Sequence, residues 1–160
     1  LPPAEARTEL REFILEVNSS EPETVDLYFP APLGGRLRKE ERTLPLAPTA
    51  PDRATQLLLA LKEGSRSGLR SVIPLRIEIR AVFLTTDGTL YVDFGNTFPA
   101  GFSSGIEAET LAVYSIVNTL AVNIRPLRQV RILLEGKEVE TLAGHVDLTR
   151  AYSPDPRWVE

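Results

Sequence analysis

Val82-Phe83-Leu84-Thr85-Thr86-Asp87-Gly88-Thr89-Leu90-Tyr91-Val92-Asp93-Phe94 reads as two β-rich runs meeting at a turn. Asp87-Gly88 supplies the backbone freedom of a tight two-residue hairpin, in which both central residues take positive φ. Phe98 to Ser104 follows as a loop. Ser104-Gly105-Ile106-Glu107 then has capping-box spacing, so the hydroxyl and carboxylate can satisfy the orphan amides of a helix start. Ile106, Val113, Val117, Leu120, Ala121 and Ile124 form a helical apolar stripe, with the hairpin as its expected partner.

Working outward, the stretch sits in a chain of 160 residues, enough for one domain with a real core. Eighteen basic residues against 22 acidic ones give a net charge of −4, which argues against a nucleic-acid surface. There is no Cys, which excludes disulfides, thiolate metal sites and Cys nucleophiles. No apolar run approaches the roughly 20 residues that span a bilayer. The chain begins at Leu1 and contains no Met, so the expectation is a longer product carrying an anchor upstream of Leu1.

Residues 1–23 read as a leader, with a short helix over Glu5 to Val17 and a polar linker; 24–149 form the main domain, and 150–160 a docked tail. Thr24 to Phe29 is a strand with Val25, Leu27 and Phe29 on one face. Leu37 to Leu46 is a charged edge strand bounded by Pro45. Pro51 and Asp52 start a helix whose buried stripe is Ala54, Leu57, Leu58 and Leu61, stopped at Gly64. Ile73 to Val82 alternates as a half-exposed strand into the hairpin. Beyond Pro126, Val130 to Leu134 is a strand, with a turn at Glu135-Gly136-Lys137 and a return over Glu138 to Leu142. The fold class that follows is α+β, a two-layer sandwich of two helices on a small mixed or antiparallel sheet.

No coherent catalytic set emerges. His145, the only histidine, stands two residues from Asp147; the pair reads either as a base oriented by a carboxylate or as a ring bonded to backbone in a turn. One His without Cys argues against a transition-metal centre. Asp93 reads as a functional carboxylate or as a cap for a neighbouring loop's amides. Glu107 and Glu109 are accounted for by the helix N-terminus. Ser103 and Ser104 lack a nucleophile elbow, and Gly101 and Gly105 lack a phosphate-binding fingerprint. No catalytic residue, metal ligand or cofactor is therefore expected. Arg36 to Arg42 carries both signs of charge, either a solvated edge or a docking surface. The interaction surface expected from the sequence comprises Arg38, Glu40, Arg42, Arg66, Arg70 and Phe102, with Tyr28, Tyr91, Tyr152 and Trp158 as candidate exposed aromatics.

In motif order the chain resembles the GerMN domain family. The residues carrying the resemblance include Val25-Asp26-Leu27-Tyr28-Phe29, Glu40-Glu41-Arg42, Leu57-Leu58 and Ser71-Val72-Ile73-Pro74. They continue with Asp87-Gly88, Tyr91-Val92-Asp93-Phe94, Gly105, Glu107, Ile116-Val117-Asn118-Thr119-Leu120, Val130-Arg131-Ile132-Leu133, Gly136 and Gly144-His145-Val146-Asp147. The resemblance covers Thr24 to Thr149. It implies a non-catalytic extracytoplasmic module of bacterial envelope or sporulation and germination proteins, similar in fold to ring-building-motif domains. It also implies a lipoprotein or single-helix anchor and protein partners in the envelope, self-association included. A cell-wall ligand module, with Arg66, Arg70 and the 98–104 loop as its rim, is the alternative.

Overall fold

The computed structural model describes residues 21–96, 98 and 105–160. The N-terminal helix expected within residues 1–20, Ser104 and Phe102 lie outside the described residues.

The first strand, β1 (Glu23–Pro30), pairs antiparallel with β2 (Leu37–Leu44), Leu27 opposite Glu40. Alternation buries Val25, Leu27 and Phe29 as expected. Helix α1 (Ala50–Glu63) begins at Thr49, whose hydroxyl accepts from the Asp52 amide at 3.2 Å, with Pro51 in the first turn. Its stripe of Ala54, Leu57, Leu58 and Leu61 is fully buried. Gly64 (φ +98) ends it, donating its N–H to the Ala60 carbonyl.

The second sheet has the order β3 (Glu78–Leu84), β4 (Thr89–Gly95), β5 (Gln129–Leu134). β3 and β4 are antiparallel. β4 and β5 are parallel, so the chain must cross over between them, which it does through α2 (Ile106–Asn123). Leu90, Val92, Phe94, Val130, Ile132 and Leu134 point into one continuous core shared with both helices and β1.

The fold class stands as expected, two helices on mixed and antiparallel strands, but the strands form two sheets rather than one. The reason is visible at the open edge of β1. Asp26 and Tyr28 turn their backbone groups away from β2, toward α2. There Thr119 Oγ1 accepts from the Tyr28 amide (3.1 Å) and Ser115 Oγ donates to the Tyr28 carbonyl. Asn123 accepts from the Asp26 amide (3.1 Å) and donates to its carbonyl (2.7 Å). Ser115, Thr119 and Asn123 recur every fourth residue and so share one helix face. Helix side chains thus occupy the positions a third strand would take, and the exposed-edge hazard is removed. α2 packs chiefly on β1, with further contact to α1 and β5, rather than on the hairpin.

Local expectations were displaced at three places. The hairpin loop is longer than two residues: Thr85 N–H donates to Thr89 O (2.9 Å), Gly88 N–H donates to Thr85 O (3.1 Å), and only Gly88 takes positive φ (+87). Asp87 accepts from the Thr89 amide (3.1 Å) and keeps a normal φ, the pattern of a three-residue loop closed by a left-handed glycine. The two-residue turn with two positive φ angles occurs at Glu135-Gly136 (φ +54 and +72), where Leu134 and Lys137 exchange both backbone bonds at 3.0 Å. Its return does not extend into a strand. Gly136 N–H is taken by Asp93 (2.8 Å), Arg131 pairs with Glu138 (2.8 Å), and residues beyond 140 wrap another partner described below.

Finally, α2 starts at Ile106 with Gly105 as N-cap and no side-chain cap. Glu107 therefore sits one position too early for a capping box, and Ile106 is 66% exposed instead of in the core.

The tail straps the two sheets together. Tyr152 exchanges both backbone bonds with Val130 on β5 at 2.8 Å, and Glu160 N–H donates to Leu37 O on β2 at 2.9 Å. Between them Trp158 stacks on Tyr114 of α2, centroids 5.6 Å apart.

Candidate functional site

Among the described residues the charged groups withdrawn from solvent are Arg42, Arg53, Asp93 and Glu109. A buried charge needs partners, and these partners define what each group can do. Glu109, fully buried, is the hub of the 143–146 loop. Its carboxylate accepts from the amides of Ala143 (2.9 Å), His145 (3.1 Å) and Val146 (2.8 Å), and lies 3.0 Å from His145 Nδ1. Burial pushes the carboxyl up, but the three amides and the imidazole outweigh it, and the net displacement is downward. With its lone pairs occupied, Glu109 holds a loop in place and is not disposed to accept a proton from a substrate.

His145 therefore pairs with Glu109, not with Asp147, which instead accepts from the Thr149 amide (2.8 Å) and hydroxyl. Asp93 takes the amide-capping role, on Gly136. Arg53 reaches Glu23 at 2.7 Å. Among the described residues, no group of three or more His, Cys, Asp or Glu side chains could hold a metal ion.

Glu109 was missed in the sequence because its place in the first turn of α2 already explained it. The signal was positional: it lies three, four and seven residues before Ala112, Val113 and Ile116, on the face that is buried.

The residues expected at an interaction surface separate into two groups. Glu40, Arg42 and the Arg66 backbone form an internal clasp. Arg42 is 5% exposed, donates to Glu40 and reaches the Gly64 carbonyl at 3.2 Å, the C-terminal end of α1. Glu40 also accepts from Ser65 Oγ (2.6 Å) and the Arg66 amide (3.2 Å). Burial pushes Glu40 up, yet bonds from Ser65, Arg66, Ser67 and Arg42 bring it down to about 2. Arg42 is thus committed to the fold. Arg38 is exposed but paired with Glu160 through two bonds, at 2.8 and 3.1 Å. Tyr28 and Tyr152, offered as exposed aromatics, are buried at 8% and 4%. Tyr91 and Trp158 are half-buried, Tyr91 stacking on Phe83.

Arg70 faces a cavity. A concavity of about 650 Å³ lies between the β1–β2 turn, the segment Gly68-Leu69-Arg70 and the first turn of α2. Glu107 lies on its wall, close over Gly35: a Cβ at Gly35 would come 2.6 Å from Glu107 Oε1. A second concavity, of about 600 Å³, shares Gly34, Gly35 and Glu107 with the first and continues to Trp158. A third, of about 360 Å³, runs on from Trp158 to Arg36 and Arg157. The three adjoin at Gly35, with Leu33 (84% exposed) on the wall of the first and Ile106 on that of the second.

Comparison with known proteins places this geometry. The chain is similar to the first GerMN domain of the sporulation protein GerM from Bacillus subtilis. The identity is 23%, over 84% of this chain and 98% of that one, with a TM-score of 0.58. Against the tandem GerMN domains of the same protein the TM-score is 0.63 at 23% identity, over 82% of this chain. The chain covers 46% of that tandem structure, about half its length. A candidate lipoprotein from Clostridium perfringens matches at 15% identity over 85% of this chain and 90% of that one, with a TM-score of 0.55. These likenesses establish the fold. No curated protein matches the chain. A family profile described as "Germane: Sporulation and spore germination" matches residues 26–140, from the middle of β1 to beyond β5, and the chain belongs to that family.

Proposed function

We propose that this domain is a non-catalytic, extracytoplasmic module that acts through protein–protein contacts in the bacterial envelope. One observation carries the reading. Among the described residues the buried charged groups Arg42, Arg53, Asp93 and Glu109 each meet the fold's own backbone or a counter-charge, while the large apolar side chains Leu33 and Ile106 stand exposed beside adjoining concavities. Exposed apolar residues beside a concavity mark recognition surfaces more often than reaction centres. The family's description, sporulation and spore germination, names a process and no reaction.

Placement in the envelope rests on the candidate lipoprotein among the similar structures. Among the described residues no helix is long and apolar enough to cross a membrane.

The test is stoichiometric recovery of a defined protein with the tagged domain from envelope extracts, alongside light scattering of the purified domain. A strict monomer that retains no protein at any concentration contradicts the reading.

A further inference from the structure

The second sheet ends on an open strand, β3. The other sheet edges are closed. On β1 the side chains of Ser115, Thr119 and Asn123 take up the backbone, and β5 is bonded by Tyr152 near one end and by the Glu135-Gly136 turn at the other. β2 carries five consecutive charges, Arg38 to Arg42, and its start is bonded by Glu160. Cover and charge are the usual means by which an edge strand avoids pairing. Over Ala81-Val82-Phe83-Leu84 there is no charge, and no residue of β3 is fully buried.

The hairpin fixes which backbone groups face outward. Thr85 N–H turns inward to Thr89 O, while Phe94 O, on the far side of β4, accepts from Glu135 N–H. By alternation Ala81 and Phe83 bond to β4, and Val82 and Leu84 point their N–H and C=O groups out of the sheet. Among the described residues no hydrogen bond from outside the sheet reaches Val82 or Leu84. On the outer face the exposed Phe83 ring stacks on Tyr91, centroids 4.8 Å apart.

We propose that β3 pairs antiparallel with β3 of a second copy of this chain, about a two-fold axis through Phe83. Val82 then lies opposite Leu84 of the second copy, and Leu84 opposite its Val82. The outward groups of both chains are thereby consumed in four interchain bonds. Phe83 meets Phe83 of the second copy in a non-hydrogen-bonded pair, where side chains approach most closely, and the ring stack continues across the axis. Self-complementarity selects a second copy as the occupant. Ala81 falls opposite Thr85 and Arg80 opposite Thr86, so no like charges face each other. Centring on Val82 would set Leu84 against the bulge at Arg80, and centring on Leu84 would set Val82 against the hairpin loop. The bulge ends the regular run, so the contact is short and the dimer transient. This edge is a different surface from the concavities, and the pairing stands independently of the protein-contact reading above.

Sedimentation equilibrium and amide hydrogen exchange, from about 10 µM to about 1 mM, test the pairing. The mass should rise from 17.7 kDa toward twice that value. Exchange at Val82 and Leu84 should slow with concentration, while Phe83, already bonded to β4, should not change. Phe83→Lys and Phe83→Glu should each weaken self-association roughly tenfold, because each sets like charges face to face and removes the ring pair. An equimolar mixture of the two should associate again. The chain has no Cys, so Phe83→Cys should cross-link on mild oxidation, faster than Thr43→Cys on exposed β2. The Phe83 side chain is exposed, and thermal melting verifies that the variants fold.

A monomer mass throughout the range, or self-association untouched by Phe83→Lys, overturns the proposal. So does a mixture of the Lys and Glu variants that stays apart, or cross-linking of Phe83→Cys no faster than that of Thr43→Cys. Dimerisation abolished by Leu33→Asp alone would also overturn it, since the second copy would then sit at the concavities. In each case recovery of an envelope protein still decides the protein-contact reading.

Discussion

Asn118 and Asp155 hold each other by a reciprocal pair of bonds: Asn118 Nδ2 donates to the Asp155 carbonyl at 3.0 Å, and Asn118 Oδ1 accepts from the Asp155 amide at 2.8 Å. Asn118 is buried on α2, so the tail is fastened to the helix at a fixed point midway between its anchors on β5 and β2. The strap is thereby a component of the fold and lies beyond the segment 26–140 that matches the family.

Replacing Asn118 with Ala leaves the Asp155 amide without its partner and the Asp155 carbonyl with only the Trp158 N–H, at 3.3 Å. The expected cost is about 1–3 kcal/mol in urea unfolding, with faster hydrogen exchange at Tyr152 and Val159. Unchanged exchange at both amides would show that the strap is held elsewhere.

Glu109→Gln keeps the size of the side chain but turns an amide N–H₂ toward backbone N–H groups that need an acceptor. Bonds to a charged acceptor are worth roughly 1.5–3 kcal/mol, so a loss of that order is expected, with exchange broadening at residues 143–146. A variant as stable as the parent would remove Glu109 from its role as hub.

Glu40 has its carboxyl brought down to about 2 from an ordinary 4.5. A depressed folded-state value contributes stability that is complete above the unfolded value and lost as pH falls through the folded one. Denaturation midpoints should therefore decline between about pH 4.5 and about pH 2, and Glu40→Gln should flatten part of that decline. Glu109, also lowered, adds to the same acid-side loss. Identical pH profiles for parent and Glu40→Gln would contradict the clasp.

Gly34 and Gly88 both take positive φ (+93 and +87), but a Cβ at Gly34 meets nothing within 4 Å. At Gly88 it would lie 2.9 Å from the Pro126 carbonyl oxygen, which is backbone and cannot swing away. Gly34→Ala should cost about 1–2 kcal/mol from conformation alone, and Gly88→Ala measurably more. Equal costs would mean that the hairpin tip does not pack against the α2–β5 connection.

Much of this architecture was legible in the residues because burial follows period. Val25, Leu27 and Phe29 alternate, Ala54, Leu57, Leu58 and Leu61 recur helically, and both patterns survive into the core. What escaped involves contacts remote in sequence. Nothing near Ser115, Thr119 or Asn123 indicates that they cap the edge of a strand some ninety residues earlier, yet they divide the strands into two sheets. The Asp87-Gly88 turn was misjudged because the same dipeptide serves two- and three-residue loops. The Asp87 bond to Thr89 selects the longer one. Arg38, Glu40 and Arg42 read as a charged surface, but Arg42 faces inward opposite Val25, where its Nη2 meets Glu40 and the end of α1. Arg70, by contrast, faces a concavity through the placement of a loop, which no periodicity encodes.

The most direct measurement is recovery of a partner from envelope extracts by the parent domain and by Leu33→Asp combined with Ile106→Asp, both side chains exposed in the fold. The parent should retain a defined protein at a fixed stoichiometry, and the double variant, folded to the same melting temperature, should lose it. A parent domain that stays monomeric and retains no protein would contradict the account.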